Sequence, residues 1–203
     1  MATLINASND YVPKVSVLWG HEAYKVISGG TPVKGDWLVY LTERNRKSGA
    51  GWHGVENGFP VAYCSPKAVG SRTFGHYVPT KYNPITKKVR TLESFTPGLI
   101  TTICHELAEM IVDPFVNLRS QFSNPDSLGR PWLMEPCDHV FGIYRASNID
   151  GRPCVFPDVT SPAYYNLKGT GPFSLYSAVT APFTLTVKGY GYYKDATGKL
   201  IKL

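Results

Sequence analysis

Apolar and polar residues alternate along the first stretch of the chain, with Val15, Val17 and Trp19 on one side. This predicts a strand over Val12 to Trp19. Asp36 to Thr42, rich in β-branched and aromatic residues, predicts a second strand, and Phe59 to Cys64 a third. Between the last two, Glu43 to Gly58 is rich in Gly, Asn and basic residues and reads as a loop. Residues 65 to 95 carry many turn formers and read as loop with room for one short strand. The period then changes to that of a helix. Thr96 is positioned to cap it, Pro97 suits its first turn, and Pro114 should stop it.

At about 100° per residue, Leu99, Ile100, Ile103, Leu107, Met110 and Ile111 fall on one side of that helix. Thr101, Thr102, His105, Glu109 and Asp113 fall on the other, with Glu106 at the edge. Beyond it, Asn117 to Pro131 reads as a loop and Trp132 to His139 as a dense run of ligand-type residues. Ile143 to Ser147 and Cys154 to Phe156 form a hairpin about Asp150-Gly151. Phe183 to Leu203 reads as strand, Gly-rich bend and a final hairpin about Thr197-Gly198.

The pattern predicts an α+β fold: a single mixed domain over 1–203, a twisted β scaffold with one main helix. Composition agrees, since 43% hydrophobic and 18% charged residues suit a chain that buries a core. The formal charge of +6 is spread, with clusters only at Arg44 to Lys47 and Lys87 to Arg90. These read as solvated loops, so no specific nucleic acid is expected; a module binding an anionic partner through the basic surface is the weakest reading. Four cysteines are too few for a disulfide framework, and no apolar run is long enough for a membrane helix. The N-terminus lacks the features of a signal peptide, so cytoplasmic synthesis is expected.

The chemistry concentrates on His105-Glu106-Leu107-Ala108-Glu109, one letter from the H-E-x-x-H of zinc peptidases. Residues four apart lie one turn on, so His105 and Glu109 project from the same side and can share a divalent ion. Glu106 flanks that position as the candidate catalytic base. No Lys or Arg on the helix offsets its carboxylates. Glu135, Asp138 and His139 follow within a short stretch. Glu135 is the expected third ligand; Asp138 or His139 is a fourth, or orients His105. Asp113 is expected behind the ligands.

Zinc is the first choice of metal, and the carboxylate-rich donor set also suits calcium, manganese or iron. An open position implies hydrolysis, with Glu106 taking a proton from water. A closed one implies an ion that only pins the helix to the Glu135 segment. Cys137 is either a soft ligand, a partner of Cys104, or a buried free thiol. Trp52-His53-Gly54 reads as an ordinary polar loop rather than a contact at the substrate's edge.

Six segments together resemble a phage and bacterial metallopeptidase-like family. They are Asp36 to Val39, Gly51-Trp52-His53, the H-E-x-x-E-M-x-x-D-P run His105 to Pro114, the E-x-C-D of Glu135 to Asp138, Val159 to Tyr164, and Pro182 to Tyr190. The resemblance implies a zincin-like active-site helix, with His105, Glu109 and the Glu135/Asp138 pair as metal candidates and Glu106 as base. The chain departs from zinc peptidases proper in having Glu109 where they carry a second His, and Phe115 where an extended motif would continue. Two functions are therefore expected. One is a metal-dependent, peptidase-like hydrolase acting on a protein or peptide substrate. The other is a virion structural protein of capsid, tail or baseplate, an oligomer contacting other virion proteins on an inactive peptidase-like scaffold.

Overall fold

The computed structural model describes residues 15–19, 37–41, 50–56, 58–65, 74–79, 81–91, 93–116, 120–149 and 151–203. The expected strand residues 12–14, 36 and 42 lie outside these, as do residues 43–49 and 57 of the expected loop 43–58. In chain order the strands are β1 (Val15–Trp19), β2 (Trp37–Leu41), β3 (Gly51–Glu56) and β4 (Phe59–Cys64), then the short β5 (His76–Val78), β6 (Lys81–Asn83), β7 (Lys88–Thr91) and β8 (Ser94–Thr96). The helix α1 (Leu99–Val112) follows. After it come β9 (Phe122–Pro125), β10 (Pro131–Leu133), β11 (Tyr144–Ile149), β12 (Arg152–Pro157), β13 (Tyr192–Lys194) and β14 (Leu200–Lys202).

The expected α+β, zincin-like fold is corrected by this architecture. The described residues are mostly strands in five small sheets, with α1 the one helix longer than a single turn. The error came from the stretches taken as loop. Residues 51–56 form β3, residues 76–96 hold four strands, and residues 122–125 pair with β10. Three- and four-residue strands are too short to show a period of two.

The largest sheets have four strands each, ordered β1-β2-β4-β3 and β14-β13-β10-β9. In the first, β1, β2 and β4 run parallel and β3 is antiparallel to β4, setting Gly51 opposite Cys64 and His53 opposite Ala62. Cross-strand partners share a face, so His53 points the same way as Ala62 and Cys64. That face meets α1: Val39, Leu41, Ala62 and Cys64 pack against Leu99, Ile103, Leu107 and Met110. Gly51 allows the close approach, because a Cβ there would lie 2.5 Å from Glu106 Oε1 and 2.6 Å from Thr102 Cγ2. On the other face Trp52 and Tyr63 stack, ring centroids 4.3 Å apart.

The helix is capped by Gly98, not by Thr96, which ends β8. The Gly98 N–H donates to Thr101 Oγ1 at 2.9 Å, and that hydroxyl donates to the Val155 carbonyl at 2.6 Å, tying the start of α1 to β12. At the other end Asp113 caps, its N–H on the Glu109 carbonyl, before Pro114. The two predicted hairpins are present as β11–β12 and β13–β14. A second core joins Trp132, Val140, Tyr164, Tyr165 and Val179 to Phe173, Phe183 and Tyr193. No helix among the described residues is long and apolar enough to cross a membrane.

Candidate metal centre

Three elements converge on one cavity of about 230 Å³: β3 brings His53, α1 brings His105, Glu106 and Glu109, and the turn after β10 brings Glu135 and Asp138. Helical spacing sets His105 and Glu109 on one side of α1, with His105 Nε2 3.3 Å from Glu109 Oε1. The same imidazole nitrogen lies 3.2 Å from Asp138 Oδ1. His53 stands between the carboxylates. Its Nδ1 is 3.4 Å from Glu109 Oε2 and 3.5 Å from Glu106 Oε2, and its Nε2 is 3.5 Å from Glu135 Oε2.

Of the residues expected at the site, the structure brings together His105, Glu106, Glu109, Glu135 and Asp138. His139 is not among them. Consecutive residues of the turn point opposite ways, and His139 enters the second core, where Nδ1 meets the Tyr165 hydroxyl at 3.0 Å and the ring stacks on Tyr164. Asp113 is fully buried behind the helix end. Cys137 joins the cluster: with His105 and Glu109 it places three ligand atoms within 4.8 Å of one another. It is a free, buried thiol, as is Cys64, and Cys104 is also free, so no Cys104–Cys137 disulfide exists.

His53 is the residue that sequence reading missed. A signal was available in the sequence at Asn57-Gly58, a pair of residue types that favours tight hairpins. A strand from Gly51 to Glu56 sets His53 on the face of Ala62 and toward the helix.

The electrostatics are those of a crowded anionic site. Burial opposes protonation of His53, yet the facing Glu106 and Glu109, with Glu135 behind, hold its pKa up at about 10. His105 is likewise buried, and Glu109, Cys137 and Asp138 push it well above its ordinary value. Glu109 gains from both rings: burial works against its ionisation, but His105 and His53 hold it down at about 2. Glu135 goes the other way, pushed up to about 9 by burial and by the Glu109 charge. Burial raises Glu106 and Asp138 as well.

His53 Nε2, Glu109 Oε1, Glu135 Oε2 and Asp138 Oδ1 are buried with no hydrogen-bond partner among the described residues, although each stands at ion-pair distance from a neighbour. Such orphaned groups cost about 1–3 kcal/mol each unless something compensates them. Among the described residues, no lysine or arginine lines the cavity. A divalent cation fits that donor set: imidazole, carboxylate and thiol are its usual ligands. No known protein family, curated protein or solved structure matches the chain.

Proposed function

We propose that the protein is a metal-dependent hydrolase of peptidase type, its divalent ion, zinc in the first instance, held between α1 and the Glu135–Asp138 turn. The observation that carries this reading is the buried cluster of two imidazoles, four carboxylates and a thiol with unpartnered atoms turned toward one another and, among the described residues, no lysine or arginine in the lining. His105 and Glu109 are the ligands on the helix, and Glu135 and Asp138 approach from the turn. When bound, the ion supplies Lewis acidity that activates a water and polarises a carbonyl.

Glu106 takes the proton from the attacking water and delivers it to the leaving amine. Its environment suits that work, since burial raises its carboxyl while His53 Nδ1 orients one oxygen. Tyr190, which lines the cavity and donates its hydroxyl to Asp138, orients that carboxylate. Trp52 and Tyr192 complete a wall able to pack on an extended peptide.

Two assays test the reading. Purified protein should carry a stoichiometric divalent metal, and Glu109→Ala should lose it. Turnover of casein or of cell-wall peptides should fall at least about a hundredfold in Glu106→Gln, with the metal retained. Metal-loaded protein inactive on both substrates, or a Glu106→Gln protein as active as wild type, would overturn the catalytic assignment and leave the ion as a clasp between helix and turn.

A further inference from the structure

We propose that the cavity is built for two divalent cations, with Glu109 as the carboxylate that bridges them. This rests on the metal-dependent reading above and deepens it. The donor atoms fall into two groups: His105, Glu109 and Cys137 form one, and His53, Glu109 and Glu135 the other, each with its atoms within 4.8 Å of one another. Glu109 belongs to both. Its oxygens are turned to different partners, Oε1 lying 3.3 Å from His105 Nε2 and Oε2 3.4 Å from His53 Nδ1. A carboxylate so placed offers one oxygen to each of two ions, the bridging arrangement of two-metal hydrolases, where the ions stand roughly 3.5–4 Å apart.

Burial and charge point the same way. Glu109, Glu135 and His53 are 3%, 6% and 9% exposed, and each has a buried polar atom without a hydrogen-bond partner, in both halves of the cluster. A single ion on the His105 side leaves His53 Nε2 and Glu135 Oε2 unsatisfied. In the metal-binding state, with both imidazoles neutral and every acid ionised, Glu106, Glu109, Glu135, Asp138 and the Cys137 thiolate amount to five negative charges around the cavity. One divalent ion leaves three of them uncompensated, and two leave one, which is the charge the base Glu106 needs. The positions differ in chemistry. The one with Cys137 is softer and suits zinc-like ions; the one with two carboxylates is harder and also takes manganese or iron.

Cobalt(II) added to the metal-free protein is the probe, read as bound cobalt per chain after equilibrium dialysis and by electronic absorption. The proposal expects two cobalt ions per wild-type chain and a thiolate-to-cobalt charge-transfer band. Cys137→Ser should keep one ion and lose the band, Glu135→Gln should keep one ion and the band, and Glu109→Gln should lose tight binding of both. A wild-type plateau at one cobalt overturns the two-ion proposal while the single-ion reading stands. No bound cobalt overturns both. Should a variant fail to fold by circular dichroism, the wild-type stoichiometry and band still decide.

Discussion

Two regions of this protein bury a histidine, and they treat it in opposite ways. His53 enters a cavity of carboxylates, and Glu106, Glu109 and Glu135 hold it protonated to about pH 10 against the cost of burial. His139 enters an aromatic cluster of Trp132, Tyr164 and Tyr165, where burial alone drives its pKa down to about 4. The Asp138-His139 pair joins the two regions, since its first residue faces the cavity and its second the aromatic core. The aromatic region is closed by apolar contacts and by the hydrogen bonds of His139 Nδ1 and the Tyr165 hydroxyl, with His139 Nε2 its one orphaned imidazole nitrogen. The carboxylate region gathers several buried atoms, on His53, Glu109, Glu135 and Asp138, that find no hydrogen-bond partner among the described residues, and on the proposed reading cations complete it.

The comparison breaks most readily at Trp132, which packs on His139, Tyr164 and Phe183 and donates its Nε1–H to Asp126 Oδ2 at 2.9 Å. Trp132→Ala should cost about 3–5 kcal/mol in denaturant unfolding. Metal bound per folded molecule should be unchanged; joint loss of both would show that the regions are one.

Next in size is the response to pH in the metal-free protein, where His139 on one side and His53 and Glu135 on the other have opposite signs. His139 folds neutral, while the unfolded chain takes its proton near the ordinary value of about 6.5. Stability therefore falls as pH drops from about 6.5 to about 4, by about 3 kcal/mol at most. His139→Phe should flatten that limb in urea melts. His53 and Glu135 bind their protons more tightly folded than unfolded. Their contribution is full below the ordinary values of 4.5 for Glu135 and 6.5 for His53, falls as pH rises above them, and is gone once pH has passed about 9 to 10. Saturating zinc should abolish this alkaline limb and leave the acid one.

A smaller effect sharpens the aromatic side. The Tyr165 hydroxyl meets His139 Nδ1 at 3.0 Å and accepts from Thr160 Oγ1 at 3.2 Å. Tyr165→Phe should destabilise by about 1–2 kcal/mol in the same melts and leave cobalt stoichiometry intact.

The helix half of the site was legible because it is local: spacing of four residues places His105 beside Glu109 whatever surrounds them. Glu135 and Asp138 were legible as a run of ligand types. His139 was misplaced because adjacency within a turn says nothing of direction. His53 was missed because the Gly- and Asn-rich stretch around it reads as loop, so the β3–β4 pairing that turns it toward the helix is not expected. The division of α1 into a core and a polar face also failed in part. Sheets and turns cover it on several sides, so Thr101, Thr102, Glu106 and Glu109 are buried while Ile111 is 44% exposed, at the edge of an apolar cleft with Leu107 and Leu175. Periodicity reports one buried stripe and is silent where a helix is enclosed by polar walls as well.

Anomalous scattering from zinc-soaked crystals tests most directly whether the cavity is a cation site. Strong peaks about 2.0–2.2 Å from Glu109 carboxylate oxygens, with His105 and His53 completing their surroundings, are the predicted result. A cavity holding only water under saturating zinc, or zinc bound elsewhere on the surface with Glu109 untouched, would contradict it.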